Sequence, residues 1–329
     1  MAHQVESMFS VQQTPWHKLG VILKEAPSSE DAIVAAGLNW KVEFRDLYVS
    51  LKTEDTPLAP DYAETRFWEN NKALVRSDNQ SELAIVGKTY RPLQNDKAFG
   101  FFDPFVQEKL ASYETAGSLR DGKVIWVLAK LNRDPIVIGK DDIVNKYLLL
   151  SNSHDGTMAV RVGFTPIRVV CANTLAMSIK NRDSKLLRVT HSKRTESRLD
   201  QIQQIVNAAD AKFEATAEQY KRLAKKNIYA KDLEKYVDIV FKFSAVEESK
   251  RREAIRGQTQ ASIIRLFETG RGSDLKSAKG TAWGMYNAVT EYLSYERGKN
   301  EETRLDQLWF GHAQNVNQLA LVEAIKMAS

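Results

Sequence analysis

Residues 151–175, SNSHDGTMAVRVGFTPIRVVCANTL, decide how the first part of the chain folds. The strand-like runs YLLLSNS and MAVRVGF lie on either side of His154-Asp155-Gly156-Thr157, and Asp-Gly pairs favour tight turns. The sequence therefore predicts a β-hairpin here, followed by an apolar segment, VVCANTL, that leads into a helix. The same 25 residues contain a histidine, an aspartate, two arginines and the only cysteine of the chain, so they also raise the question of an active site.

Other segments of the first part also predict strands joined by tight turns. Asp121-Gly122 separates SYETAGSLR from KVIWVLAKL, and an Asp-Gly pair between two such runs is a strong hairpin signal because both turn positions need φ > 0. A further hairpin, KALVRSDNQSELAIVG, is predicted to turn near Asp78-Asn79. KVEFRDLYVSL alternates as a half-buried strand does. Since strands joined by tight turns pair antiparallel, we expect an antiparallel sheet.

Two helices are predicted among these strands. Ser28 and Asp31 have the spacing of a capping box at the start of one helix. Asn95 is the expected N-cap of the other, NDKAFGFFDPFVQEKL, and Pro104 is expected to kink or break it.

The second part of the chain changes to helical spacing. Its apolar residues recur every three or four positions, as in TESRLDQIQQIVNAADAKFEATAEQYKRLAKKN, and we expect about five helices. GRGSDLKSAKG is predicted to be a mobile loop between them. The predicted fold is therefore α+β, with an antiparallel-sheet domain over residues 1–192 and a helical, basic region over residues 193–329.

Composition limits the classes of protein. The chain has 329 residues, of which 43% are hydrophobic and 27% are charged, as in globular proteins. No apolar run reaches the ~18–20 residues that a membrane span needs, and the first residues do not resemble a secretory signal. A single cysteine excludes an internal disulfide and a finger-type zinc site. We expect a cytoplasmic protein with no membrane contact.

Enzyme signatures are weak, and we predict no catalytic residue, no metal and no cofactor. GxxxxGK[ST], GxGxxG and GxSxG are absent from the sequence. Cys171 lies in an apolar segment, where cysteine is usually a small buried hydrophobe. The paired acids Asp141-Asp142 flank a predicted turn and are expected to be solvated. The histidines lack the spacing of a strong metal motif.

Basic residues form the more coherent pattern. Residues 1–184 contain 22 Lys and Arg against 23 Asp and Glu, whereas residues 185–329 contain 25 against 19. The excess of positive charge therefore belongs to the second part, and it favours a polyanion such as nucleic acid as the partner. KRLAKK at 221–226 and KRR at 250–252 are two of the basic clusters. Tyr113, Trp126 and Tyr147 are candidates for base stacking, although Trp126 also suits the core.

These patterns single out two sets of residues. The first set is expected to contact phosphates, with the last two residues ranked second: Arg161, Arg168, Lys185, Arg188, Lys193, Arg194, Arg120 and Lys123. The second set is expected to shape the turn beside the groove and to hold neighbouring backbone: Asn152, His154, Asp155, Gly156 and Asn173.

Several strings resemble the phage/plasmid-like protein family known as domain of unknown function DUF932. They are TPWHKLG, GSLRDGKVIWVLAKL, YLLLSNSHDGT, TPIRVVCANTL and TAWGMYNAVTEYLSYER, and the resemblance extends over about residues 16–310. It implies a protein of phages, plasmids or other mobile elements in a bacterial host cell, and it carries no catalytic assignment. The layout is also similar to that of single-strand annealing proteins, which combine a small antiparallel sheet with helices and form rings or filaments.

The sequence favours a DNA-binding protein. We expect it to bind single-stranded DNA in a basic groove between the sheet and the helices, with strand annealing independent of ATP, during replication or recombination of a phage or plasmid. A homo-oligomer built through the C-terminal helices is expected. Two alternatives remain open: a metal-assisted hydrolase or nuclease that uses His154 and Asp155, and a protein–protein module such as an inhibitor of host defence.

Overall fold

The computed structural model describes residues 5–12, 20–50, 65–168, 173–174, 187–189, 209–243, 249–298, 304–309 and 311–329. The strands are β1 Val5–Val11, β2 Val21–Leu23, β3 Val42–Ser50, β4 Thr65–Arg76, β5 Glu82–Gly87, β6 Ala111–Leu119, β7 Val124–Leu131, β8 Ile136–Ile138, β9 Asp142–Ser153, β10 Val160–Arg168, β11 Asn173–Thr174 and β12 Leu187–Val189. The helices are α1 Ser29–Ala35, α2 Asn95–Gly100, α3 Asp103–Gln107, α4 Ala209–Lys225, α5 Ala230–Phe241, α6 Lys250–Thr269, α7 Ala282–Glu291, α8 Arg304–Trp309 and α9 His312–Ala328. A π-helical turn, Tyr292–Glu296, follows α7.

A large sheet forms the centre of the first part. Its strand order is β11-β10-β9-β7-β6-β1-β2, with β8 paired to β9 and β12 paired to β10. All of its pairs are antiparallel except β1–β2, which is parallel. The α+β fold class and the antiparallel sheet are therefore confirmed. A second sheet, β3-β4-β5, is also antiparallel, and it contributes Val42, Leu74 and Leu83 to the hydrophobic core.

The predicted hairpin turns are confirmed. Asp121 and Gly122 lie between β6 and β7 with φ of 56° and 85°, as a turn of this kind requires. His154 begins the turn between β9 and β10, in which Gly156 has a φ of 72°. The hairpin predicted near Asp78 is the β4–β5 connection. These turns were predictable because their chemistry is local.

Of the two helices predicted in the first part, one begins at the predicted residue and the other does not. At α1, the Ser28 hydroxyl accepts a hydrogen bond from the Asp31 backbone N–H at 3.2 Å, as expected. The prediction for Asn95 was wrong, because Gln94 occupies the N-cap position and Asn95 is the first helical residue. Pro104 lies in the first turn of the separate short helix α3, where proline is tolerated.

The second part is helical, as predicted, and it packs on the sheet. In α4 the buried side chains include Phe213, Tyr220 and Leu223, at the spacing of one helical face. The Phe213 ring meets the Phe164 ring of β10 with centroids 5.4 Å apart. One hydrophobic cluster runs from the sheet into the helices. The division into two domains at residue 192 stays a prediction.

A buried carboxylate joins the two parts. Asp142, at the start of β9, is 0% exposed and accepts hydrogen bonds from the Ser277 hydroxyl and the Trp283 indole N–H, both at 2.8 Å. The prediction that both acids of Asp141-Asp142 are solvated was therefore wrong for Asp142, although Asp141 is exposed. Removing a carboxylate from water costs free energy unless its charged oxygens accept hydrogen bonds inside the protein. Ser277 and Trp283 donate such bonds to Asp142.

The same contact corrects the prediction of a mobile loop. The connection between α6 and α7 has no helix, but Ser277 and Ala278 near its end are 5% and 1% exposed. The hydrogen bond from Ser277 to Asp142 fixes this end of the connection against the sheet. The glycine and serine content of this segment therefore did not reveal that Ser277, near its end, is buried and hydrogen-bonded.

Removal of the buried carboxylate should destabilise the fold. Asp142→Ala leaves the Ser277 and Trp283 donors buried without their acceptor, and each such donor costs about 1–3 kcal/mol. We expect the free energy of unfolding, measured by urea denaturation, to fall by about 3 kcal/mol or more. The control Asp141→Ala changes an exposed neighbour and should stay within about 0.5 kcal/mol of the wild type. Equal stability of the two variants would contradict the role assigned to Asp142.

Candidate nucleic-acid interface

The predicted phosphate contacts fall into three groups in the structure. Lys185, Lys193 and Arg194 lie outside the described residues. Arg168, Arg188 and Asn173 lie on β10, β12 and β11, where only their backbone is described. The register pairs Arg161 with Arg188 and Arg168 with Asn173, so these positions form two pairs at opposite ends of β10, along the edge of the large sheet.

Arg120 and Lys123 lie at the β6–β7 turn, beside the His154 turn. The His154 backbone N–H donates to the Lys123 carbonyl at 2.7 Å, which joins the two turns. Burial opposes ionisation of the Asp155 carboxyl, but hydrogen bonds from Ser153 and Thr157, together with the charge of Arg120, lower its pKa below the usual value. The two turns that the sequence singled out therefore form one end of the large sheet.

The side chain of His154 is buried among polar partners. Its Nε2 is 2.9 Å from Asn95 Oδ1, its Nδ1 is 3.4 Å from Asn152 Nδ2, and its ring lies edge-on to Trp40 with centroids 5.4 Å apart. Asn152 also donates to the Leu93 carbonyl at 3.2 Å. Because the ring of His154 is 0% exposed, it has no access to a substrate, and its contacts hold β9 against the start of α2.

Asp155 and Gly156 fold the turn itself. The Asp155 carboxylate accepts hydrogen bonds from the Thr157 backbone N–H at 2.9 Å and the Thr157 hydroxyl at 2.6 Å, and also from the Ser153 hydroxyl. Side-chain bonds to backbone two residues on are typical of aspartates that stabilise turns. Both Asp155 and the neighbouring His154 therefore have structural partners.

The predicted stacking residues are not available to bases. Tyr113 and Trp126 are 0% exposed and Tyr147 is 6% exposed, so the interpretation of Tyr113 and Tyr147 as stacking residues was wrong. The Tyr113 hydroxyl donates to the Phe99 carbonyl at 3.0 Å inside the core. The strands that carry these residues are covered on both faces, and sequence alternation alone did not show that.

A basic cleft lies at the opposite end of β9 from the His154 turn. It has a volume of about 850 Å³ and lies between α4, the β8–β9 turn and the α6–α7 connection. The KRLAKK segment supplies part of its wall. Five cationic side chains line the cleft, and we call them the cleft cations: Lys140, Lys221, Arg222, Lys225 and Lys276.

Most of the cleft cations have no ion-pair partner among the described residues. Lys221 pairs with Glu218 at 3.0 Å, and both are exposed. The other four make no ion pair with a carboxylate in the part of the chain that the structure describes. Asp141 and Asp274 also line the cleft, so three carboxylates face five cations. The cleft carries a net positive charge toward solvent.

The fold positions these cations through two constraints. α4 buries one face against the sheet and α7, which turns Lys221, Arg222 and Lys225 toward solvent. Asp142 is hydrogen-bonded to Ser277. Because Lys140 is close to Asp142 in sequence and Lys276 precedes Ser277, this bond places both lysines beside α4. Basic residues in the last turn of a helix also complement its dipole, so part of the cluster stabilises α4 as well.

A second basic cleft adjoins the first along α4. It has a volume of about 950 Å³, and Lys130, Arg133 and Lys146 line it together with Asp134 and Glu214. Glu214 lies one helical turn before Glu218, which lines the first cleft, so the two clefts are neighbours on the same helix. Together they extend the positive surface past the β8–β9 hairpin.

The described residues contain neither a cluster of metal-ligating side chains nor a helix that could span a membrane. No group of three or more His, Cys, Asp or Glu there could hold a metal ion. Cys171, His17 and His191 lie outside that part of the chain. None of the described helices is both long enough and apolar enough to cross a membrane.

Comparison with known proteins places the chain in a family. The sequence model of the domain of unknown function DUF932 matches residues 82–317, which is more than two thirds of the 329 residues. The matched region contains the large sheet from β6 onward, the His154 turn and the basic cleft. No curated protein matches the chain, and no solved structure does. The resemblance seen in the sequence is confirmed, and the chain belongs to the DUF932 family.

Proposed function

We propose that this protein binds single-stranded DNA in the basic cleft. The observation that supports this function is that five cations from three separate elements line one cleft and that four of them have no carboxylate partner among the described residues. Cations that are not neutralised by the protein attract counterions, and a polyanion that displaces those counterions gains affinity from their release. Phosphates of a nucleic-acid strand are such a polyanion.

The size and lining of the cleft favour a single strand. A volume of about 850 Å³ is that of a small-ligand site, which suits a few nucleotides of an extended strand and is too small for a duplex. None of the described residues that line it is aromatic. We therefore expect contacts to phosphates rather than to bases, with little sequence preference.

The same mode of binding supports a proposal of strand annealing. A protein that holds a strand by its phosphates leaves the base edges free to pair with a second strand. Such pairing needs no nucleotide hydrolysis, and the sequence contains no phosphate-binding loop of the GxxxxGK[ST] type. We propose that this activity serves the replication or recombination of a phage or plasmid.

Neutralisation of two cleft cations should weaken DNA binding. We expect Arg222→Gln/Lys225→Gln to lower the affinity for a labelled single-stranded oligonucleotide roughly 10- to 30-fold near 0.1 M salt. The plot of log affinity against log salt should flatten by about 1.4, because each phosphate contact with a single strand contributes about 0.7 to the slope. Fluorescence anisotropy at several salt concentrations, with a duplex for comparison, measures both quantities.

The matched control is Lys231→Gln/Lys235→Gln. These exposed lysines likewise lie about one turn apart on a helix, α5, but outside the cleft. The control should keep the affinity and the salt slope of the wild type. If both double variants lose affinity equally, the cleft is not the binding site, and if the wild type binds no DNA at low salt, the proposed function is wrong.

A second proposal concerns self-association through the β3–β4 hairpin. Four aromatic side chains of this hairpin are 41–59% exposed: Phe44, Tyr48, Phe67 and Trp68. The Tyr48 and Phe67 rings are 5.6 Å apart, and exposed apolar clusters of this kind mark interaction sites. The exposure of Phe44 also corrects the half-buried alternation predicted for β3.

Charge favours a second copy of the chain as the partner of the hairpin. Two basic residues of the hairpin are already paired, Arg45 with Glu43 and Lys72 with Asp46. Residues 42–76 contain seven acids against five bases, whereas residues 185–329 carry the basic excess of the chain. A hairpin that contacts the basic helical part of the next copy makes a head-to-tail interface, which closes into a ring or extends into a filament.

Loss of the exposed aromatics should dissociate the oligomer. We expect Tyr48→Ala/Trp68→Ala to elute as a monomer in size-exclusion chromatography with light scattering, at concentrations where the wild type is larger. Ile85→Ala, which changes a 63% exposed residue of the same small sheet, is the control and should keep the mass of the wild type. A monomeric wild type, or an unchanged mass for the double variant, would contradict self-association through the hairpin.

A further inference from the structure

Arg297 lies directly after the π-helical turn, Tyr292–Glu296, at the end of α7. Its backbone N–H donates to the Tyr292 carbonyl at 2.8 Å, five residues back. Such turns are rare, and they occur frequently at functional sites because they change the direction in which the next side chains project. The π turn therefore sets the direction of the Arg297 side chain.

The guanidinium of Arg297 is partly buried without a counter-charge. It lies over the Phe241 ring, 5.4 Å from the centroid, and its Nη1 is buried with no hydrogen-bond partner. Among the described residues no carboxylate forms an ion pair with it. Burial lowers the pKa of Arg297 below its usual value. A buried donor of a charged group that lacks a partner is costly, and a bound anion would remove that cost.

Two more basic groups, a lysine and a histidine, lie near Arg297. Lys242 is exposed and follows α5 in the left-handed conformation, with a φ of 54°. His312 is the first residue of α9, and burial together with the charges of Arg297 and Lys242 lowers its pKa. The carboxylate of Asp238, one turn before Lys242, is already bound by Arg256.

The groups around these three side chains add positive charge. Arg252 donates to the Lys242 carbonyl at 3.2 Å, and Arg304 donates to the Arg297 carbonyl at 3.2 Å. The 17-residue helix α9 begins at His312, so its N-terminus contributes a partial positive charge. Among the described residues, the neighbours of Arg297, Lys242 and His312 thus add positive charge and supply no carboxylate to Arg297.

We propose that Arg297, Lys242 and His312 bind a phosphate dianion, as inorganic phosphate or as the terminal group of a phosphate monoester. A guanidinium can donate two parallel hydrogen bonds to such a group, and the lysine and histidine complete its charge. The two permanent charges of Arg297 and Lys242, with an imidazole whose protonation a bound anion would favour, suit a dianion better than the singly charged phosphodiester of a strand interior. The site is separate from the basic cleft, so it does not depend on the proposed DNA binding.

Titration with inorganic phosphate tests the site. We expect a saturable rise of the melting temperature of about 2–4 °C at ten times the dissociation constant in the wild type. Arg297→Gln should abolish the rise, and in phosphate-free buffer it should melt no lower than the wild type because it removes an uncompensated charge. Lys242→Asn, which keeps a residue that tolerates positive φ, should weaken phosphate binding about tenfold. Lys279→Asn is the matched control and should bind as the wild type does.

The source of the phosphate is distinguished with single-stranded oligonucleotides that carry either a 5′-phosphate or a 5′-hydroxyl. Tighter binding of the phosphorylated form, lost in Arg297→Gln, would support the site and identify a nucleic-acid end as its ligand. Saturable binding of inorganic phosphate with no preference between the oligonucleotides would support the site and identify a small phosphate compound. Absence of a saturable rise in the wild type, or a rise that persists in both variants, would overturn the proposal.

Discussion

The hydrogen bonds from Ser277 and Trp283 to the buried carboxylate of Asp142 are the constraint on which the rest of the structure depends. They connect the first residue of β9 to the helical part, far away in sequence, and all three residues are buried. Because Asp142 must stay bonded, the β8–β9 turn and the α6–α7 connection are held together beside α4. The basic cleft is the surface that results, and its cations come from all three of these elements.

Much of the fold followed from local chemistry in the sequence. The turns at Asp121 and Asp155 and the helices of the second part were predictable, since turn residues and helical spacing act over a few positions. The burial of Asp142 was not predictable, because it and the exposed Asp141 differ only in which side of the strand each side chain faces. The partners of Asp142 lie 135 and 141 positions further on. The buried side chain of Asn95 escaped prediction for the same reason, since its partners come from other segments.

The candidate sites were only partly visible in the sequence. KRLAKK stood out as a basic cluster, but Lys140 and Lys276 are isolated in sequence, and only the tertiary fold brings them to the cleft. The Arg297 site was not predicted, because it depends on a π turn and on side chains from three helical segments. Conversely, the conspicuous His154-Asp155-Gly156 motif serves the structure: every polar side chain in it has a partner that holds the turn or the start of α2. The conspicuous motif and the basic cleft thus lie at opposite ends of β9.

The central claim is that an assembled basic cleft on α4 holds the phosphates of a single strand. The most direct measurement crosslinks the protein to a single-stranded oligonucleotide that carries amine-reactive groups along its backbone and identifies the modified lysines by mass spectrometry. The account predicts crosslinks concentrated at Lys140, Lys221, Lys225 and Lys276, which lower salt strengthens. Crosslinks spread evenly over exposed lysines, or confined to residues outside the cleft such as Lys231 and Lys235, would contradict it.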